Sequence, residues 1–223
     1  MLRYSFIALL SLTMFSSCKK DDNDDLYGNA SAEVNLINAS PDAASAQLYV
    51  ADVLRTPTAI SYGQESGYNK TYAGDQNVVI KSANGQALSS SQTQLDAMGK
   101  YSFFLVGQNN KLDMITVTDD QTAPASGKAK IRFVNASPNS TSVTLAVGNT
   151  VIASNQDFRS VSSSTEITAG VYTLTLTNAT NNTTTVVTTP NTTWESGKIY
   201  TVYAKGLVGN TSTIMFGAGI LSK

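Results

Sequence analysis

From about residue 31 onward, apolar residues recur at every second position. Val143, Leu145 and Val147 alternate with Thr144 and Ala146, and Tyr172, Leu174 and Leu176 alternate with Thr173, Thr175 and Thr177. A period of two turns one set of side chains into a core and the other toward water, so these stretches predict half-solvated antiparallel strands. The same outline predicts strands over Glu33 to Asn38, Gln47 to Val50, Asn77 to Lys81, Tyr101 to Val106 and Met114 to Thr118. Turn signals separate them: Asn84-Gly85, Gly107-Gln108-Asn109-Asn110, Gly148-Asn149, Asn178 to Asn182 and Gly209-Asn210. Many short strands with frequent turns predict an all-β chain of antiparallel β-sandwiches.

The pattern is written twice. Asn38-Ala39-Ser40-Pro41-Asp42 and Asn135-Ala136-Ser137-Pro138-Asn139 lie 97 residues apart (135 − 38), each directly after an apolar strand pattern. Tyr62 is matched by Phe158, Ala73-Gly74 by Ala169-Gly170, and Gly99-Lys100-Tyr101 by Gly197-Lys198-Ile199-Tyr200. A duplicated unit of about a hundred residues predicts two tandem domains, 31–124 and 125–223, near the usual domain size. Their boundary falls in the polar connection Asp119 to Gly127. The four repeated glycines suit turns that need a positive φ.

Proline ends a strand by removing an amide donor, while Asn, Ser and Asp side chains satisfy the freed backbone groups. The Asn-Ala-Ser-Pro turn therefore reads as structural. A calcium or sugar site on Asp42 would lack partners, and Asn139 stands at its place in the second copy. Together with Gln47-Leu48-Tyr49-Val50, Tyr62-Gly63, Tyr72-Ala73-Gly74 and Gly99-Lys100-Tyr101, this turn resembles the bacterial family called domain of unknown function 4397. The resemblance covers most of residues 31–223. It implies paired immunoglobulin-like or transthyretin-like modules outside the cytoplasm, and no activity.

The N-terminus carries an address. Arg3, a mainly apolar run from Phe6 to Phe15 and small residues before Cys18 have the shape of a secretory signal, assigned to 1–17. Phe15-Ser16-Ser17-Cys18 resembles a bacterial lipoprotein box, which implies acylation of Cys18, the sole cysteine. Two or three acyl chains, at about 0.8 kcal/mol per buried methylene, anchor a protein stably without a membrane-spanning helix. Residues 18–30 form a charged tether, expected to be disordered because it has little apolar surface to bury. Within it Lys19, Lys20, Asp21 and Asp22 resemble the export signal of surface lipoproteins in some Gram-negative bacteria. The expected location is the outer membrane, lipid-anchored and facing the medium.

Composition removes several functions. The formal net charge is −1 and histidine is absent, so no basic stripe exists for nucleic acid, and His-based triads and His-ligated zinc are excluded. No phosphate loop, nucleophile elbow or metal motif appears, which predicts a non-catalytic protein without cofactors. The Asn-x-Ser/Thr triplets are compositional in a bacterial lipoprotein. Asp119-Asp120 is a candidate cation site at the domain junction, though two adjacent carboxylates supply few ligands and a solvated linker is the simpler reading. The partners expected are the membrane, through the anchor, and a surface protein or a glycan. Adhesion or scaffolding is the first functional reading. A glycan-binding accessory lipoprotein of a polysaccharide-uptake system is the second, with Tyr68 and Trp194 as candidate aromatics for stacking on sugar. Tyr68, in a Gly/Asn-rich loop, is the tyrosine expected to be exposed; Trp194 also suits a cap at the end of the second sandwich.

Overall fold

The computed structural model describes residues 30–109, 111–180 and 183–223. Cys18 and the Lys19 to Asp22 segment lie outside them, as do the signal and most of the tether. Strands β1 (Ser31–Asn38), β2 (Ser45–Val50), β3 (Val53–Leu54), β4 (Ile60–Ser61), β5 (Asn69–Tyr72), β6 (Gly74–Lys81), β7 (Ala87–Leu95), β8 (Lys100–Gln108) and β9 (Lys111–Thr118) build the first module. Strands β10 (Lys128–Asn135), β11 (Val143–Val147), β12 (Thr150–Gln156), β13 (Thr165–Thr168), β14 (Gly170–Thr180), β15 (Thr183–Trp194), β16 (Ile199–Lys205) and β17 (Gly217–Ser222) build the second.

Each module is a β-sandwich, and the strand orders correspond. The sheet β5-β1-β8-β9 lies over β3-β2-β6-β7 in the first, and β13-β10-β16-β17 lies over β12-β11-β14-β15 in the second; the short β4 pairs with β2. Val34, Leu36, Phe103 and Leu105 from one sheet meet Leu48, Val50, Val78 and Ile80 from the other in the first core. Ile131, Phe133 and Val202 meet Leu145, Leu174, Leu176 and Trp194 in the second. Among the strands described, pairing departs from antiparallel once per module: β1 runs parallel to β8, and β10 parallel to β16. A parallel pair needs a long crossover, which the intervening strands of the opposite sheet provide.

The strands predicted from alternation lie inside β1, β2, β6, β8, β9, β11 and β14. Those without an apolar signal are β7, with its Ser/Gln/Thr run, and the Thr-rich β15. Both are edge strands, and Pro190 within β15 fits an edge, where a missing amide costs no ladder bond.

Two of the four repeated glycines have positive φ, Gly74 (104°) and Gly197 (83°). The other two are there for space, contrary to expectation. A Cβ on Gly99 would stand 2.8 Å from the Tyr101 ring and one on Gly170 3.1 Å from the Tyr172 ring. The Gly-Lys-Tyr echo has a further use: the amide of Asp96 donates to the Tyr101 phenol at 2.7 Å, and that of Glu195 to the Tyr200 phenol at 2.9 Å.

Candidate functional site at the module junction

Alternation predicts one wet face for every sheet, yet β1, β8, β10 and β16 are buried on both faces over most of their length. Their second faces pack against each other. Ile37, Ala39, Phe104, Val106, Ile115 and Val117 of the first module meet Val134, Ala136, Tyr203 and Leu221 of the second in a third apolar core. Two residues earlier on the same strands, the facing side chains turn polar: Asn35, Ser102, Arg132 and Thr201, all buried. One end of the junction is therefore dry and the other is a buried polar network.

Asp119 is the centre of that network. Its carboxylate is 1% exposed, and the expectation of a solvated linker fails at this residue. One oxygen takes the Arg132 guanidinium. The other accepts from the Tyr68 phenol, from Ser102 Oγ at 2.8 Å and from Lys223 Nζ at 2.5 Å. Arg132 is itself held by Thr201 Oγ1 and the Thr118 carbonyl, both at 2.8 Å. Asp120 is also engaged: the Thr122 amide donates to it at 2.8 Å and Lys130 Nζ approaches at 3.0 Å. That backbone hydrogen bond, with Lys130 beside it, holds the Asp120 carboxyl below the usual range. The two carboxylates weighed as cation ligands are thus bound by the protein's own cations. Among the described residues, no three His, Cys, Asp or Glu side chains gather as a metal site would need.

Beside the network lies a cleft of about 430 Å³, lined by residues of both modules: Tyr68, Lys100 and Asp119 on one side, Gly197, Ile199 and Lys223 on the other, with Asp120, Gln121 and Ala123 between. Tyr68 is not the free aromatic expected from its loop. Its hydroxyl is committed to Asp119, and the Lys100 and Lys223 ammonium groups stand 4.9 and 5.0 Å from its ring centre. Burial, reinforced by the Asp119 charge, pushes its phenol far above the ordinary value. Burial pushes the Lys223 ammonium down, against the pull of Asp119 in the other direction.

Trp194 is a second correction. It is 1% exposed and packs edge to face on Tyr200, with centroids 4.9 Å apart, so neither ring face can receive a sugar. It fills the end of the second core because β15 closes against β14 there, pairing Trp194 with Gly170.

The two Asn-Ala-Ser-Pro turns are structural, and their partners are distant as well as local. Asn38 Nδ2 donates to the Ala43 and Ile60 carbonyls, and Asn135 Nδ2 to that of Gln156. Ser40 Oγ donates to the Gly107 carbonyl at 2.9 Å, and Ser137 Oγ to that of Gly206 at 2.7 Å. Asp42 accepts from the Asn109 amide, while Asn139 accepts from the Val208 amide and donates to the Val208 carbonyl. Each turn thus ties its strand end to the last residues of β8 or to those just after β16, and to the loop beyond.

The residues that build the junction were mostly not singled out by sequence reasoning. Arg132 carried a signal, being a lone charge inside Ile131-Arg132-Phe133-Val134 where the first copy has Asn35. Lys223, Ser102 and Thr201 carried none.

A comparison with curated proteins finds no match. Among solved structures, one similar chain is CBMbc (family CBM26) from Eubacterium rectale Amy13K, in complex with maltoheptaose. It shares 12% identity over 86% of this chain and 97% of that one, at a TM-score of 0.24. A superposition that loose places no residue of one chain reliably on a residue of the other. The model of the family described as domain of unknown function (DUF4397) matches residues 32–146 and again 131–217. With nearly all of both sandwiches matched and the signature turn present in each, the chain belongs to the DUF4397 family, as a tandem pair of its modules.

Proposed function

We propose that this chain is a non-catalytic, lipid-anchored surface protein whose fused module pair serves as a rigid adhesion or scaffold unit. The observation that carries the reading is the third apolar core: flexibly strung modules would not bury Phe104, Val134 and Tyr203 between them. A fully buried large apolar side chain contributes about 1.5–3 kcal/mol, so several of them oppose bending at the linker. The linker is also pinned, with the Ala125 amide donating to Glu166 at 3.2 Å and the Gly127 amide to Ser196 Oγ at 3.1 Å. Absence of histidine supports the non-catalytic part. The signal, Cys18 and the Lys19-Lys20-Asp21-Asp22 run support attachment to the outer membrane on the side facing the medium.

A glycan-binding accessory role shares that placement. Its two leading aromatic candidates are committed elsewhere, Tyr68 to Asp119 and Trp194 to the second core, whereas Tyr72, also weighed for stacking, is exposed.

Labelling cells with a palmitate analogue, then shaving intact cells with protease, tests the proposal. Label on the wild type, its loss in Cys18→Ser, and digestion of the wild type in whole cells are expected, together with reduced cell attachment when the protein is deleted. An unlabelled, protease-protected chain would overturn the placement, and unchanged attachment would overturn the adhesive role.

A further inference from the structure

We propose that the outer edge of β7 pairs with the same edge of a second copy of this chain, antiparallel about a two-fold axis at Gln92, joining their two sheets into one. β7 is the outermost strand of its sheet, in unbroken register with β6 from Gly74↔Leu95 to Ile80↔Ser89. Which of its backbone groups face outward follows from the neighbouring ladder. The Ala51 amide donates to the Asn77 carbonyl at 2.9 Å, so Asn77 and Val79 turn their amides and carbonyls toward β2, and Val78 and Ile80 turn theirs toward β7. Ser91 and Ser89, opposite that second pair, bond inward to β6; Ser90, Gln92 and Gln94 direct their amides and carbonyls away from the sheet. All three are exposed. The Gln92 carbonyl accepts from the adjoining Ser91 hydroxyl at 3.2 Å and keeps a second lone pair for another donor.

An open edge is a template for strand addition, and proteins blunt it with charge, proline, a bulge or brevity. The other edges carry such devices. β9 has Lys111 and Asp113, β15 has Pro190, and β12 has two register shifts. β3, β5 and β13 span four residues or fewer, and β17 is weakened by Gly217 and Gly219. β7 runs for nine residues with neither charge nor proline. A second copy suits it because the edge is complementary to itself. With no charge in the strand, like meets like without repulsion. An axis at Gln92 sets this residue against its own copy and Ser90 against Gln94 of the second chain, so that outward amides meet outward carbonyls, about six backbone bonds over three facing pairs. The Gln and Ser side chains then line one face, where amides and hydroxyls donate to one another as in stacked polar strands. Such a contact is small, and the expected affinity is correspondingly modest. The pairing needs neither the lipid anchor nor attachment to cells, and it can fail while both stand.

The test is sedimentation equilibrium of the full-length protein in density-matched detergent, over a range of protein concentrations with micelles in excess. A reversible monomer–dimer equilibrium is expected. Gln92→Pro removes an amide turned away from β6, so the fold is expected to survive, while the dissociation constant rises about tenfold or more. Gln92→Lys leaves the backbone unchanged and sets two ammonium groups side by side at the axis; severalfold weaker pairing is expected, with recovery in high salt. Asn149→Lys, on an exposed turn of the second module, is expected to change nothing. A monomer at every concentration, a dimer left intact by either folded Gln92 variant, or equal weakening by Asn149→Lys would overturn the proposal. Should proline unfold the chain, the lysine variant decides.

Discussion

Phe104 and Tyr203 occupy the same place in the two modules and meet each other edge to face, with ring centroids 5.5 Å apart and planes at 64°. The equivalence follows from register, since each lies three residues after the tyrosine that pairs with the last strand, Tyr101 with Thr118 and Tyr200 with Ser222. Ile37 and Val134, and Ala39 and Ala136, are further equivalent pairs in the same core. The junction is thus built like a two-fold homodimer interface in which one patch meets its own copy, here within one chain. The next residues of the two last strands, Asp119 and Lys223, are equivalent in place and opposite in charge, and they pair at 2.5 Å. Duplication supplied the complementary surfaces, and divergence at this position supplied a charge pair that a symmetric dimer of identical modules would lack.

Truncating Phe104 to Ala is expected to destabilise the protein by about 3–5 kcal/mol, the usual cost of emptying a fully buried aromatic site. Tyr203→Ala is expected to cost a similar amount, and the double variant less than the sum. A coupling of about 0.5–1.5 kcal/mol in a urea-denaturation cycle is the sign of the edge-to-face pair. Strict additivity would mean that the rings do not meet in solution.

Arg132→Met leaves Asp119 with Lys223 but removes the guanidinium that binds its other oxygen. Breaking a buried ion pair from one side costs about 3–5 kcal/mol, and the remaining lysine places the expected loss near the lower end. Equilibrium unfolding measures it, and a change below about 1 kcal/mol, as typical of a surface pair, would mean that the junction is open to water.

Gly107→Ala and Gly206→Ala test the points to which the two signature turns are tied, at the end of β8 and just after β16. Both glycines have positive φ, and an added Cβ would stand 2.1 Å from a backbone oxygen, that of Lys111 or of Met215. Backbone cannot step aside as a flexible side chain can, so each variant is expected to lose about 3 kcal/mol or more. Gly85→Ala, also at positive φ but with open space around its Cβ, is expected to lose only the backbone strain, about 1–2 kcal/mol. Thermal melts of the three variants would show the contrast.

Alkaline stability depends on the junction tyrosines. Burial pushes the Tyr203 phenol up to about 12, and Tyr68 moves in the same direction from the ordinary value near 10. A group whose pKa is higher in the folded state stabilises fully below its unfolded pKa and loses that contribution as pH rises through its folded pKa. Stability is therefore expected to fall from about pH 10 toward pH 12, less steeply in Tyr203→Phe. Phenolate absorbance of the folded protein should lag that of the denatured chain. Coincident titrations would contradict burial of these hydroxyls.

Trp194 is the one tryptophan and is 1% exposed, so its emission should be blue-shifted and resistant to iodide until the protein unfolds. Native-state quenching, or a response to added oligosaccharide, would show a ring face open to solvent.

The sequence alone determined the class and the doubling. Period-two alternation marked the strands whose apolar side faces the opposite sheet of their own module, because that signal needs only local backbone geometry. The repeated Asn-Ala-Ser-Pro turn marked the start of each module, because proline and short polar side chains end a strand in a way that a sequence displays directly. Gly-Lys-Tyr was visible as an echo, although space rather than backbone sign explains one glycine of that pair. The tertiary structure alone decided what the second faces of β1, β8, β10 and β16 do. Arg132 and Thr201 read as water-facing positions in an alternating strand, and Asp119 as part of a linker, because pattern cannot distinguish a face turned to solvent from one turned to another module. Only packing brings Asp119 and Lys223, more than a hundred residues apart in sequence, within ion-pair distance and encloses Tyr68 between them, since burial is a property of the assembled surfaces and not of any one stretch of chain.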